Sequence, residues 1–330
     1  MSAAAALPRA AATAAALPWS GLLAVDKPAG VTSHDVVEVV RRRLNVPGAG
    51  HLGTLDPGAT GLLLVALGAA TRCVPVWQGG EKTYEGTLRF GVVTSTQDMQ
   101  GEVLERRPVD LDEASVRAAS LAFVGDQTQV PPMVSALQVG GERLHRIARR
   151  GEVVERAPRP VRVSEWTWVS FELPEARFRV RCSGGTYVRT LAHDLGAHLG
   201  CGAALQALRR LRSEPFGLER AIALSDLDRG SPGEVLATSG IPLDEALRVL
   251  PTITLDDGAF EQVGHGQRPS LERGAAAGVP LGAGPRSVVA RDANGRVLAL
   301  GEAVADPANQ GRLLFCPRVV FPWAVRQGRG

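Results

Sequence analysis

The stretch "AGHLGTLDPGATGLLLVALG", Ala49–Gly68, runs from a glycine-rich loop into an unbroken apolar segment, Leu62–Leu67. A short apolar run bounded by glycine reads as a strand covered on both faces, which places this segment inside a layered domain. The loop holds a single acid, Asp56, in the turn sequence Asp-Pro-Gly, between the apolar Leu52 and Leu55 and the run that follows. Read for its backbone alone, Asp56 opens a turn. Its apolar surroundings suggest a partly buried carboxylate, which is costly unless a cation pairs with it. An arginine fork is the natural partner, and a paired aspartate stays ionised and available as a nucleophile.

Outward from this loop the elements alternate. "GLLAVDKPAG" (21–30) reads as a strand ending in a turn, and "TSHDVVEVVRRRLN" (32–45) as a helix, with Thr32 or Ser33 as its cap and three arginines in its last turn. Segment 82–92 reads as a strand, 110–125 as a helix, and 131–151 as a strand, a Gly-Gly turn and a short basic helix. Strands follow near 161–171 and 176–182, then a helix over 184–200. Segment 204–218 is ambiguous between helix and strand. From about residue 250 the texture is all-β, with Asn294-Gly295 between apolar runs as a hairpin signal and a last strand over 312–321.

The chain has 330 residues, enough for about two domains, with 45% hydrophobic and 22% charged residues, so a packed core is available. Cys73, Cys182, Cys201 and Cys316 are scattered, which disfavours a disulfide framework or structural zinc and favours a reducing, cytoplasmic setting. No window of about 20 apolar residues is present to cross a bilayer, and the alanine-rich residues 1–18 read as a poorly ordered tail. The net charge of +3 is too small to argue for a nucleic-acid partner, but its distribution is informative. Arg143, Arg146 and Arg150, then Arg156 and Arg159, then Arg209, Arg210 and Arg212 form three clusters suited to phosphates. Only two of the 37 basic residues are lysines, Lys27 and Lys82, and only Tyr84 and Tyr187 are tyrosines, which marks these four positions as chemically particular.

Several chemistries fail on context. "GAGHLG" (48–53) follows a basic helix and precedes Leu-Asp-Pro, so it lacks the strand-turn-helix frame of a dinucleotide site. His193 and His198 are five residues apart and fall on different faces of a helix, unlike a zinc pair. No G-x-S-x-G or P-loop is present.

The segments "GLLAVDKPAGVTSHDVV", "AGHLGTLDPGATGLLLVALGAATR", "EKTYEG", "VPPMVSALQVGGERLHRIARRG" and "RCSGGTYVRTLAHDLGAHLGCGAALQALRRL" together resemble the bacterial tRNA pseudouridine synthase B (TruB) family, collinearly from Gly21 to Leu224. The resemblance implies an α+β pseudouridine synthase fold, with a mixed, mainly antiparallel central sheet flanked by helices. It implies a catalytic domain at 19–249 with an RNA-contacting insertion at about 131–156, and a PUA-like RNA-binding β-barrel at 250–330. The implied reaction converts the T-loop uridine of tRNA (position 55) to pseudouridine by base flipping, with no cofactor and no metal. Assistance to tRNA folding would need no turnover.

By the same resemblance Asp56 is the catalytic nucleophile, Tyr84 stacks on the target base, and Arg189 pairs with the aspartate. Tyr187 and Leu208 line the uridine pocket, and His51 contacts flipped-out nucleotides. Arg143, Arg146, Arg150, Arg209 and Arg210 are candidate RNA-backbone contacts, and Lys27 and Lys82, which also lie in matched motifs, have either a structural role or a place among those contacts. His145 stands where relatives often carry an aromatic ring. The implied partner is the T-arm of tRNA, bound by a monomer without a membrane or an obligate protein partner. The competing readings are a non-catalytic RNA scaffold, which the joint presence of Asp56, Tyr84 and Arg189 disfavours, and a synthase working on another RNA within a guided particle, which the 131–151 insertion disfavours.

Overall fold

The computed structural model of the chain describes residues 19–135, 137–276, 279, 284–309 and 311–326. The alanine-rich tail, part of the 273–284 stretch and the side chain of His145 lie outside the described residues.

The fold grows around two apolar strands. Gly21–Lys27 pairs antiparallel with Thr60–Leu67, in register from Gly21↔Leu67 to Lys27↔Gly61. Both read as continuous apolar runs because both are covered twice. Leu23, Val25, Leu63 and Val65 face one apolar cluster, while Leu22, Ala24, Leu62, Leu64 and Ala66 face another. The helix between them, Ser33–Arg43, is capped by Thr32 in a reciprocal capping box with Asp35, buries Val36, Val37 and Val40, and ends in Arg41–Arg43.

The ambiguous segment is a strand, Ala203–Ser213, at the centre of an eleven-stranded sheet. It runs parallel to Thr60–Leu67 and antiparallel to Lys82–Phe90. Beyond it Lys82–Phe90, Glu175–Cys182 and Arg159–Glu172 form an antiparallel run ending at Gly125–Gln129. Here buried and exposed residues alternate, because one face carries helices Glu113–Leu121 and Val188–His198 and the other meets water. On the wet face Arg177 and Arg179 both bind Glu85, at 2.7 and 3.1 Å. The helix read over 184–200 starts later, at Val188, because residues 184–187 turn to present Tyr187.

The C-terminal unit is a separate five-stranded sheet, ordered Thr252–Thr254, Arg286–Arg291, Val297–Ala305, Arg312–Val320, Ser270–Glu272. Gly295, at φ 80°, makes the turn that Asn294-Gly295 foretells. This sheet shares a core with the first. Val289, Val297, Leu300 and Phe321 pack in one cluster with Trp77, Ile241 and Leu247. Polar contacts hold the rim, with Arg72 donating to the Val320 carbonyl at 2.8 Å and Arg291 paired with Asp244 at 3.0 Å.

Candidate active site

The Asp56 loop is fixed from three sides. Ser33, at the start of its helix, accepts from Leu55 N at 2.8 Å and donates to Leu55 O at 3.0 Å. Lys27 donates to the carbonyls of Pro28 (2.9 Å), Pro57 (3.1 Å) and Ala59 (2.7 Å). Arg210 donates to Gly53 O at 3.2 Å and Leu62 O at 2.6 Å, tying the two ends of the loop together. Ala59 N donates to Asp56 O at 3.0 Å, so the Asp-Pro-Gly turn forms as its composition requires. The backbone makes the turn, and the Asp56 side chain is left to the cleft, with 41% of its surface exposed there.

Asp56 Oδ2 lies 3.5 Å from Arg189 Nε. Arg189 enters from the first turn of Val188–His198 and is almost wholly buried. Its guanidinium also faces Asp98 Oδ2 at 3.5 Å and donates to the Val134 carbonyl. Asp98, which the sequence did not single out, is itself held by Thr96 Oγ1 (2.6 Å) and Gln100 N (3.0 Å). It sits in a polar loop 42 residues after Asp56, and no local spacing marks it. Burial within the cleft pushes the Asp56 carboxyl above the ordinary range; Arg189 pulls it down, Asp98 raises it and Lys27 lowers it. The pairing with Arg189 therefore offsets the desolvation of Asp56 but does not outweigh it.

Tyr84 projects from Lys82–Phe90 and is buried near Arg210, and burial raises its phenol above the ordinary range. The backbone of Tyr187 is clamped by Gln129, which accepts from Tyr187 N at 2.8 Å and donates to Tyr187 O at 3.0 Å. The Tyr187 ring lies 5.9 Å from the Arg189 guanidinium, and burial raises its phenol above the ordinary range. Asp56, Tyr84, Tyr187, Arg189 and Leu208 all line one cleft of about 530 Å³. His51 does not line it. Its strand, Ala49–His51, lies alongside, its Nδ1 is buried without a partner, and burial followed by Arg210, His34 and Arg143 lowers its pKa.

The candidate backbone contacts divide. Lys27 is 0% exposed, Lys82 4% and Arg210 3%; Lys82 donates to Gln78 O and Gly80 O, and Arg210 to Gly53 O and Leu62 O, while Lys27 bonds three carbonyls. Lys82 and Arg210 border the cleft as well as holding the chain, whereas Lys27 is spent on the chain alone. Lysine occurs there because a compact ammonium carries three donors on one atom, which a planar guanidinium does not. Arg209 is engaged by Asp26 and Arg150 by Glu142 and Glu152. Arg143 and Arg146 stand exposed on the insertion. Among the described residues no group of three or more His, Cys, Asp or Glu is placed to hold a metal ion, and no helix is long and apolar enough to cross a membrane.

The sequence matches TruB family pseudouridylate synthase (N terminal domain) over residues 41–188, and tRNA pseudouridylate synthase B C-terminal domain over residues 189–248. It is 45% identical over 283 residues to tRNA pseudouridine synthase B of Burkholderia pseudomallei (strain 668), covering 86% of this chain and 93% of that one. The chain belongs to the TruB family of pseudouridylate synthases. A second relative, tRNA pseudouridine synthase B of Opitutus terrae, is 51% identical over 209 residues, covering 63% of this chain and 87% of its own. Among solved structures the TruB-family chain is similar to the Cbf5-Nop10-Gar1 complex, with a TM-score of 0.69, 29% identity, and 91% of this chain and 84% of that chain covered. The pseudouridine synthase fold and the isomerase class of the activity follow from membership.

Proposed function

We propose that this chain acts on tRNA, isomerising the T-loop uridine at position 55 to pseudouridine, with Asp56 as nucleophile. The observation that carries this reading is one carboxylate in a cleft of about 530 Å³, paired at 3.5 Å with a buried arginine and flanked by both tyrosines of the chain. A base stacked in a folded loop hides its glycosidic bond, so the nucleotide must flip out at a cost of a few kcal/mol. Stacking on Tyr84 recovers about 1–3 kcal/mol, and Leu208 and Tyr187 close the remaining walls. Arg189 opposes the effect of burial on Asp56 and orients it. The N1–C1′ bond breaks, the uracil turns, C5 bonds to C1′, and the proton lost from C5 is matched by one gained at N1, so atoms balance without a second reactant.

The relatives named for tRNA support the substrate, and the exposed Arg143 and Arg146 on the insertion suit its phosphates. The C-terminal sheet is assigned as a PUA-like RNA-binding unit (250–330), following a catalytic domain at 19–249. The protein works as a cytoplasmic monomer, and binding through these surfaces also assists tRNA folding. Incubating the protein with unmodified tRNA and mapping pseudouridine at nucleotide resolution tests the reading. Product at position 55 that vanishes with Asp56→Asn, while tRNA binding persists, is the expected result; product at another site, or retained turnover by the variant, overturns it.

A further inference from the structure

We propose that Gln97 is a positioning residue for the reaction, latching the Asp98 loop to the helix that carries Arg189 through its bond to Thr190. The inference rests on the Asp56–Arg189 pair being the reaction centre. Gln97 has φ 67°, in the left-handed region that side chains other than glycine and asparagine rarely adopt. Its conformation is held from two sides. Thr190 Oγ1, on the residue after Arg189, donates to Gln97 Oε1 at 2.7 Å. Leu205 N, on the central strand, donates to Gln97 O at 3.0 Å, and Met99 N returns a bond to Leu205 O at 3.0 Å. Asp98 thus sits between two pinned neighbours, in a lone bridge with Leu205. Backbone pairing fixes the height of the loop over the sheet, and the Gln97–Thr190 bond ties it to the helix turn that presents Arg189.

The consequence follows from a shared guanidinium. Arg189 stands 3.5 Å from Asp56 and 3.5 Å from Asp98, so the two carboxylates compete for one cation. If Asp98 drifts, Arg189 turns toward Asp56 and the carboxyl loses a repelling neighbour. The charged groups around Asp56 are Arg189 on the helix, Asp98 on the loop and Lys27 on the first strand. Only Asp98 is moved by the latch.

Gln97→Asn tolerates the left-handed backbone but is too short to reach Thr190, and Thr190→Val removes the donor. Each is expected to lower kcat on unmodified tRNA about tenfold, with KM unchanged, as a small misplacement of a catalytic group does. The acid limb of the kcat–pH profile should move to lower pH. The double variant should be no slower than either single, Gln97→Asn should add nothing to Asp98→Asn, and Thr190→Ser, which keeps the hydroxyl, should retain most of the rate. An unchanged kcat, an effect confined to KM, or losses that add fully would overturn the inference. A wild-type protein that makes no pseudouridine would instead sink the functional reading on which it rests.

Discussion

Replacing Lys27 by methionine isolates the role of a buried cation in holding the catalytic loop. The Lys27 ammonium is 0% exposed and bonds three carbonyls. Burial pulls its pKa down to about 8, so it remains charged at neutral pH. Methionine fills nearly the same space but donates nothing. Pro57 O keeps a partner, since Gly30 N also donates to it at 2.8 Å. The carbonyls of Pro28 and Ala59 lose their Lys27 bonds; Pro28 is exposed and its carbonyl can turn to water, whereas the buried Ala59 carbonyl is left unsatisfied at about 1–3 kcal/mol. For a domain of this size that corresponds to a Tm lower by about 2–12 °C. Pro57 and Ala59 flank Asp56, so the carboxylate also loses its fixed position, and a displacement of 1 Å can cost on the order of 100-fold in rate. Lys27→Arg should recover little, because a planar guanidinium cannot converge on three carbonyls gathered about one nitrogen. Thermal denaturation together with turnover on unmodified tRNA checks both effects. A variant with unchanged Tm and kcat would refute the reasoning that this lysine anchors the loop.

Other outcomes follow from the same geometry. The Asp56 carboxyl is raised in the fold above its unfolded value, so folding binds a proton between the two values and loses stability as pH rises through that window. Asp56→Asn should therefore melt higher than wild type at pH 7 while losing turnover, and a lower Tm would contradict the sign. Gly61 has φ 96°, and a Cβ there would come within 2.2 Å of the Arg210 carbonyl on the neighbouring strand. Gly61→Ala should prise apart the parallel pair that carries Leu208 and Arg210, and soluble, fully active protein would argue against it. Phe321 is fully buried and stacks on Trp323 at 4.9 Å in the core shared by the two sheets. Phe321→Ala should cost about 3–5 kcal/mol, seen in calorimetry as a C-terminal unit that melts earlier than the body; a single transition at the wild-type Tm would exclude this coupling.

How much of this was legible in the sequence depends on how local each cause is. The strand-turn-helix of residues 21–45 was readable because its signals are contiguous: an apolar run, a cap at Thr32 and arginines at the end. The hairpin at Asn294-Gly295 was readable for the same reason. Segment 203–213 was not, because its register slips between Leu205 and Ala207 and again between Arg210 and Arg212. Two bulges in one strand break the two-residue alternation and leave a pattern that a helix fits equally well.

The site shows the same division. Both tyrosines and Asp56 converge on one cleft, as rarity and the loop suggested, yet Asp98 escaped, since its tie to Arg189 spans 91 residues. The two lysines mark where the argument from composition succeeds and where it stops. Rarity marked Lys27 and Lys82 as positions of particular chemistry, but it did not say on which side of the surface they lie. For Lys27 that answer rests on carbonyls 30 and 32 residues away. A scarce residue type therefore announces that its chemistry is needed, while the choice between gripping a ligand and gripping the chain is made by tertiary contacts that no local pattern encodes.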